Sequence, residues 1–210
     1  MSNARNLARV LADTSGAIAA TNLANAVPAD GSITNAKLAS GAVTASKVSG
    51  ALAKANMASG SVLQVVSYTK TDTFSTNSTS WVDITGFNLS ITPTSATSKI
   101  LVLTDVSIGA PSGGNGVVRL LRDGNLINAG DAAGSRPRTF SGHDSNPYGL
   151  YRVAGSYVDS PATTSAINYK LQMQVSTGTA GIGRTSNDRD SALYDPRAPS
   201  GSITLLEIAV

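Results

Sequence analysis

All ten aromatic residues of this 210-residue chain lie between Tyr68 and Tyr194. The preceding 67 residues contain none and are rich in Ala, Ser and Asn. Aromatic and large aliphatic side chains supply most of the area that a protein core buries, so this first part lacks the material for a wide core. The sequence therefore predicts a globular domain over 61–210, preceded by a non-globular arm over 1–60.

The composition favours β-structure. Ser and Thr together make 49 of the 210 residues, and the only glutamate is Glu207. Glutamate is a strong helix former, whereas Thr and Val favour strands. We therefore expect a mainly β protein with many turns.

The absence of cysteine and the presence of a single histidine, His143, exclude several classes of site. A zinc finger, an iron–sulfur cluster and a thiol enzyme all need Cys or several His, so no metal or cofactor is expected. The net charge of +3 is spread thinly, which argues against nucleic acid as a partner. No run of 18 apolar residues occurs, so we expect no membrane insertion.

A ten-residue repeat runs through the predicted arm: 31–38 and 41–48 share the pattern Gly-x-(Ile/Val)-Thr-x-x-Lys-(Leu/Val), with looser copies from Gly16 and Gly50. Each repeat carries two apolar residues five positions apart, and one repeat cannot bury them alone. Identical chains around an axis would solve this, since three chains would stack these residues in layers. The layer residues are Ile33, Leu38, Val43, Val48, Leu52 and Met57. The alternative is a flexible linker, which does not need apolar residues at fixed offsets.

A short helix is predicted ahead of the repeats, over 3–12. Leu7, Val10 and Leu11 follow i, i+3, i+4 spacing, which places them on one helix face. The polar residues from Asp13 onward end the pattern. A helix of this length is marginal alone, so we interpret it as a docking element; the alternative is a frayed terminus.

From residue 62 the pattern changes to short apolar runs bounded by turn residues, which is typical of strands. The predicted strands are 62–70, 79–92, 99–108, 116–122, 125–129, 148–159, 166–175, 180–185 and 202–209. Antiparallel strands of this number with loops of five to fifteen residues predict a two-sheet β-sandwich, and a jelly-roll topology is the first expectation.

Four local patterns refine this prediction. Asp123-Gly124 is the signal of a tight hairpin. Leu171, Met173 and Val175 alternate with polar residues, which indicates one buried face. Trp81 is expected to anchor the core with Ile84, Phe87 and Leu89. A last buried strand is expected to contain Ile203, Leu205 and Ile208.

Several stretches resemble the tail-fibre proteins of tailed bacteriophages. The arm repeats at 31–44 are similar to repeats in those proteins, and 60–68, 157–171 and 201–208 resemble the terminal domains of short fibre-like members. The stretch 109–147 shows no such resemblance. The resemblance implies a homotrimer in the virion, attached through its N-terminal arm, with an outward-facing β-domain and no catalytic residues.

The longest predicted loop, 131–146, is the candidate receptor contact because binding residues concentrate in loops. It contains Arg136, Arg138, Phe140 and His143. Two guanidinium groups and an aromatic ring could contact a sugar or a lipopolysaccharide phosphate. The alternative is that these residues contact other copies or a capsid.

No catalytic constellation is predicted, and we expect the chain not to be an enzyme. The His-Asp-Ser run at 143–145 has the residue types of a triad, but adjacent residues cannot reproduce triad geometry. The acids at 187–190 and Asp195 favour a salt-bridged turn over a calcium site or a glycan-cleaving pair. The Gly-rich run at 113–116 is a strand connection, since no Lys-Ser/Thr follows as in a phosphate loop.

Two structural virion roles therefore stand side by side. The first is a trimeric short tail fibre whose arm attaches to the tail or baseplate and whose β-domain contacts the host surface, with a glycan as the expected ligand. The second is a capsid decoration or cement protein that stabilises the head. A third class, a cellular carbohydrate-binding module, lacks a recognisable aromatic platform.

Overall fold

The computed structural model describes residues 54–144, 146–190, 192–193 and 195–210, which belong to one compact unit, Leu52–Val210. The predicted helix over 3–12 lies outside the described residues, as do most of the predicted arm residues. Those arm residues are Leu7, Val10, Leu11, Ile33, Leu38, Val43, Val48 and Leu52. None of the helical segments described is long and apolar enough to cross a membrane.

The described chain is almost entirely β-structure, with a single short 3-10 helix at Lys54–Asn56. The strands are β1 (Val62–Lys70), β2 (Phe74–Thr76), β3 (Val82–Ile91), β4 (Lys99–Gly109), β5 (Asn115–Arg122), β6 (Asn125–Ile127), β7 (Ser141–Asp144), β8 (Tyr151–Asp159), β9 (Ile167–Val175), β10 (Ala180–Ile182) and β11 (Gly201–Ile208). The prediction of a mainly β fold is confirmed.

The strands form two antiparallel sheets. The six-stranded sheet has the order β1-β11-β4-β10-β2, with β8 also paired to β4. The five-stranded sheet has the order β3-β9-β5-β6, with β7 also paired to β5. Both sheets turn an apolar face to the same core, as in a β-sandwich.

The strands pair in a nested way. The first pairs with the last (β1–β11), β3 pairs with β9, β4 with β8, and β5 with β6. These pairs correspond to one long antiparallel hairpin that is folded over into two sheets. The folding brings β11 beside β4 in one sheet and β9 beside β5 in the other. This is the arrangement of a jelly roll, as the sequence predicts.

The core lies between the two sheets and is aliphatic and aromatic. Its fully buried large side chains include Ile84, Phe87, Ile100, Ile108, Leu120, Tyr169, Leu171, Met173, Ile182, Ile203 and Leu205. The alternation predicted for Leu171, Met173 and Val175 is confirmed, since all three are buried. The predicted hairpin at Asp123-Gly124 is also confirmed, because both residues have positive φ between β5 and β6.

The prediction that Trp81 anchors the core is wrong. The neighbouring Val82 pairs with buried Met173, and side chains alternate along a strand, so Trp81 turns outward. Its half-buried indole lies under Arg119, whose Cζ is 4.3 Å from the ring centroid. The expected partners Ile84 and Phe87 do fill the core.

Ile208 also differs from its prediction. Ile203 and Leu205 are fully buried as expected, but the next inward position of β11 belongs to Glu207. Ile208 is half-buried on the opposite face of the sheet. Side chains alternate between the two faces along a strand. Ile208 follows Ile203 by five positions, so the two side chains point to opposite faces.

Two predicted loops contain strands. The segment 72–78 includes β2, which pairs with β10, and 131–146 includes β7, which pairs with β5. Both strands are short and lack an apolar alternation of their own. They form because the neighbouring strand offers unpaired backbone groups, and buried backbone groups are nearly always hydrogen-bonded.

Candidate functional site

The chain enters the described domain beside its last strand. The Gly60 N–H donates to the Ala209 carbonyl at 2.8 Å, and the Ala209 N–H donates to the Ser61 carbonyl at 2.9 Å. Met57, the predicted layer residue that is described, is 37% exposed and lines a shallow cavity together with Val210. The first described residues, 54–61, therefore lie at this end of the domain.

The opposite end of the domain carries one short and one long loop that contact each other. Lys70, the last residue of β1, pairs with Gly201, the first residue of β11, at that end. The two loops there are 146–150, which leads into β8, and 183–200, which joins β10 to β11. We call them the distal loops.

The distal loops contact each other and are rich in ion pairs. The Asn187 N–H donates to the Pro147 carbonyl at 3.3 Å, and the Arg189 guanidinium lies 5.0 Å from the Tyr148 ring centroid. Asp188 pairs with Arg184 and, at 2.7 Å, with Arg197. The predicted salt-bridged turn over 187–190 is confirmed.

A small cavity of about 280 Å³ lies among Asp188, Arg189, Asp190, Asp195 and Arg197. Asp195 accepts bonds from the Thr185 hydroxyl at 2.7 Å and from Arg189 at 2.8 Å. These hydrogen bonds hold the pKa of Asp195 below its ordinary value.

Two large side chains stand out from the distal loops. Tyr148 is 55% exposed and Leu193 is 82% exposed. Exposed aromatic and arginine side chains are enriched where proteins contact partners. The Arg- and Asp-rich run at 184–197 is the sequence signal for this surface, although the pattern itself predicts only a salt-bridged turn.

The structure does not bring the four predicted receptor-loop residues together. Arg136 and Arg138 are exposed, and Arg138 Nε donates to the Gly130 carbonyl at 2.7 Å. Phe140 packs against the core instead. His143 lies on β7, and its ring stacks on Tyr151 with the centroids 3.6 Å apart.

His143 packs within the fold and has no catalytic partner beside it in the sequence. Its Nε2 is buried, with no hydrogen-bond partner among the described residues. Burial lowers the pKa of His143, and the charge of Asp144 opposes this only in part. His143 and Asp144 are adjacent in a strand and so point to opposite faces, which rules out their acting together as a catalytic pair.

Two buried carboxylates, which the sequence reasoning missed, stabilise the fold. Glu207 is fully buried and accepts hydrogen bonds from Gln64 and Thr94. Asp159 is 4% exposed and accepts bonds from Arg122 at 2.7 Å and from the Tyr169 hydroxyl at 2.6 Å. The sequence does contain a sign of the buried Glu207, because it lies two positions after Leu205 and therefore on the buried face of the same strand.

The outer surfaces of the two sheets differ in character. On the five-stranded sheet, Asp83 accepts bonds from Lys170 at 2.8 Å and from Gln172 at 2.6 Å, and Arg119 donates to Gln172 at 2.6 Å. The bond from Lys170, followed by that from Gln172, holds the pKa of Asp83 below its ordinary value. Together with Asn168, these residues form what we call the outer polar face.

The outer surface of the six-stranded sheet is aliphatic in part, and it also carries Ser67, Thr204 and the Arg152–Asp105 ion pair. Val102 and Leu205 are buried in the core, so their strand neighbours point outward. We give the name outer apolar face to Val65, Leu101, Leu103, Val158 and Leu206. Consecutive apolar residues in β4 and β11 were the signal for it, because a strand covered on both faces has a continuous apolar run.

Comparison with known proteins gives limited likenesses. No protein-family model and no curated protein matches the sequence. A structure of T=1 particles derived from infectious bursal virus is 15% identical, with a TM-score of 0.38 over 70% of this chain and 40% of the other. A structure of the Gx strain of infectious bursal disease virus is 14% identical, with a TM-score of 0.38 over 70% of this chain and 36% of the other. The chain thus spans about 40% of the length of these proteins, and such values establish neither a family nor a shared function.

Proposed function

We propose that this chain is a non-catalytic structural protein of a tailed-phage virion, a trimeric short tail fibre. Its arm, 1–60, attaches to other virion proteins, and its β-domain faces outward and contacts the host surface. The arm repeats and the fibre-like stretches of sequence support this assignment.

The proposal rests on one observation: the N-terminal entry of the chain and the distal loops lie at opposite ends of the jelly roll. The chain enters at the end where Gly60 bonds to Ala209, and the distal loops lie at the other end. An attachment segment and a contact surface at opposite ends are what a fibre tip requires.

The chemistry of the distal loops fits a polar host ligand. Tyr148 offers an exposed ring, and Arg189 and Arg197 offer guanidinium groups about half exposed to solvent. Guanidinium groups bond sugar-linked phosphates and carboxylates in a bidentate way, and aromatic rings pack on apolar sugar faces. We therefore place the expected glycan contact on the distal loops, with Arg136 and Arg138 as the predicted second surface.

Labelling of virions with an antibody to the chain tests the proposal. We expect label at the tail and tens of copies or fewer per particle. Label over the head with hundreds of copies would support the decoration hypothesis instead, and virions without label would contradict both.

A cell-binding assay tests the contact surface. We expect the full chain to bind host cells and the Tyr148→Ala/Arg197→Ala variant to bind at least ~10-fold more weakly, because interface aromatic and Arg residues dominate binding energy. Arg136→Ala/Arg138→Ala tests the predicted second surface and should lose less binding than the first variant. Equal loss in both variants would contradict the placement on the distal loops.

A further inference from the structure

We propose that the ring stack between His143 and Tyr151 controls the loop 146–150, so that the host-contact surface is assembled at neutral pH and released in mild acid. This inference rests on the proposed function, because it concerns the regulation of the distal loops that we assign to host contact. His143 and Tyr151 are then positioning residues, which act on that surface through the backbone of the loop.

The two rings connect the two sheets of the sandwich. His143 lies on β7, which pairs with β5 in the five-stranded sheet, and Tyr151 begins β8, which pairs with β4 in the six-stranded sheet. The ring centroids are 3.6 Å apart and the ring planes are inclined by 29°. Arg152, the next residue of β8, turns away to the outer surface, where it pairs with Asp105 at 2.7 Å.

Tyr151 holds the loop 146–150 at two points. Its ring lies against the bare backbone of Gly149, where an added Cβ would collide with the Tyr151 Cε2 atom. Its hydroxyl accepts a hydrogen bond of 2.7 Å from Asn146 Nδ2. The position of the ring therefore sets the position of the loop.

Asn146 organises the turn that this loop forms. Its Oδ1 accepts the N–H of Tyr148 at 3.1 Å, and its backbone carbonyl accepts the N–H of Gly149 at 3.2 Å. An Asn side chain that bonds the backbone two residues ahead stabilises a turn. The same amide group is thus bonded to the Tyr151 hydroxyl at one atom and to the turn at the other.

The turn also carries the contacts with the longer distal loop. The Pro147 carbonyl accepts the N–H of Asn187 at 3.3 Å, and the Arg189 guanidinium lies 5.0 Å from the Tyr148 ring centroid. The exposed Tyr148 and the contacts with 183–200 therefore depend on the turn. A change at His143 can reach the contact surface through this contiguous series of contacts.

Protonation of His143 is unfavourable while its ring is stacked. Nε2 is buried and has no hydrogen-bond partner among the described residues. A neutral imidazole can carry its hydrogen on Nδ1, but an imidazolium carries one on both nitrogens. The added N–H would lie buried without an acceptor, which is costly for a charged group. An imidazolium can attract an aromatic ring, but burial lowers the pKa of His143, so burial has the larger effect.

Little charge surrounds the ring. Asp144 on the same strand favours the imidazolium but does not offset burial. The positions 115–117 of β5, which pair along β7, are uncharged, as are the positions 106–108 of β4 beside the start of β8. The loop 146–150 has no charged residue, and the phenol of β8 stays neutral below about pH 9. These elements therefore offer the imidazolium no counter-ion in the stack.

Falling pH should consequently favour a form in which the imidazole has left the stack. In that opened form the pKa is about 6.5, the ordinary value for an exposed imidazole. The stacked form has a lower pKa, so the opened form takes up the proton first as the pH falls. Between pH 7.5 and pH 5.5 the equilibrium should shift about 10-fold towards the opened form.

Hydrogen–deuterium exchange of the full chain tests this coupling without any ligand. After correction for intrinsic exchange rates, the amides of Tyr148 and Gly149 should lose protection about 10-fold between pH 7.5 and pH 5.5. The amides of β9 should keep theirs, since the core stays closed. His143→Phe keeps a ring for the stack and cannot be protonated, so its loop protection should not change with pH. An equal loss in this variant, or a uniform loss over the whole domain, would overturn the inference.

Tyr151→Phe gives a second test, which leaves the titrating group in place. It keeps the stack on His143 but removes the hydroxyl that holds Asn146. Protection in the loop should therefore be low at both pH values, with a smaller dependence on pH. If circular dichroism shows that His143→Phe does not fold, this variant decides, and wild-type protection at pH 7.5 would overturn the inference.

Nuclear magnetic resonance measures the titration itself. His143 is the only histidine of the chain, so histidine labelled with carbon-13 gives a single imidazole signal in the full-length protein. We expect its pKa below about 6.5. A pKa at or above that value would overturn the inference, because the stack would then favour the charged ring.

Cell binding separates this inference from the proposed function. The wild-type chain should bind host cells about 10-fold more weakly at pH 5.5 than at pH 7.5, and His143→Phe should bind equally at both. If exchange shows the opening but the chain binds host cells at neither pH, the switch stands and the host-contact proposal fails. If the loop opens while binding stays the same, the contact surface lies elsewhere and the regulatory inference fails.

Discussion

Thr94 donates two hydrogen bonds to Glu207, one from its backbone N–H and one from its hydroxyl, each 2.7 Å long. Gln64 Nε2 donates a third bond of 2.6 Å to the other carboxylate oxygen. Burial raises the pKa of Glu207, but these bonds outweigh burial and hold it below its ordinary value. The only glutamate of the chain thus joins β1 and β11 to the loop after β3.

The Glu207→Gln variant should lower the free energy of unfolding at pH 7 by about 1–3 kcal/mol, because charge-assisted bonds to a buried group are lost. A carboxylate whose folded pKa is lowered stabilises the protein above its unfolded pKa of about 4.3, and this stability is lost as the pH falls through the folded pKa. Urea denaturation at pH 7 and pH 3 should therefore show a smaller acid loss in the variant. Asp131→Asn, in an exposed loop, is the control and should match the wild type.

The cluster of Asp159, Tyr169 and Arg122 predicts a graded pair of variants. Tyr169→Phe removes one bond to Asp159 and should cost about 1–2 kcal/mol. Asp159→Leu leaves the buried Tyr169 hydroxyl and the part-buried Arg122 without their acceptor and should cost about 2–4 kcal/mol. Denaturation midpoints measure both, and a larger loss in Tyr169→Phe would contradict this order.

Gly201 cannot be replaced without backbone movement. Its φ is +141°, and a Cβ there would come 2.0 Å from the Asp105 carbonyl oxygen. Gly201→Ala should therefore destabilise the domain by about 3 kcal/mol or more. Gly130→Ala, where a Cβ meets nothing within 4 Å, should change stability by less than about 0.5 kcal/mol. Thermal melts of the two variants provide the comparison.

His143 should make the protein less stable in mild acid. Its folded pKa is lowered by burial, so the unfolded chain takes up a proton more readily than the folded one. Stability therefore falls as the pH drops below the unfolded pKa of about 6.5 towards the folded pKa. His143→Phe keeps a ring to stack on Tyr151 and removes the titration. Melting temperatures from pH 7.5 to pH 5 should decline less steeply in this variant, and parallel curves would refute the assignment.

The alternation of apolar and polar residues along the chain predicted most of the strands and their buried faces. In β9 every second residue from Ile167 to Val175 is buried, and this alternation can be read from the chain. The order of the strands cannot be read in this way, because antiparallel strands of this number allow several sandwich topologies, of which the jelly roll is only the first expectation. Strand ends differ by a few residues where turns tighten, as at β8, which begins at Tyr151 instead of 148.

Features set by neighbouring strands could not be predicted in this way. β7 pairs with β5 over Ser141–Asp144 although its own residues show no strand pattern. The prediction for Trp81 was wrong because the sequence does not show to which face of the sheet an aromatic residue near the start of a strand points. The distal loops were missed as a surface because 146–150 and 183–200 are separated in sequence by β8, β9 and β10 and meet only in the fold.

The backbone hydrogen bonds that join Gly60 and Ser61 to Ala209 have a mechanical consequence. A tensile load that enters through the residues before β1 and is resisted at the distal loops acts along the strand direction. β1 is joined to β11 by eight register pairs from Val62 to Lys70, so it can leave the sheet only by sliding along its neighbour. All eight pairs are then loaded together in shear, whereas peeling would break them one at a time.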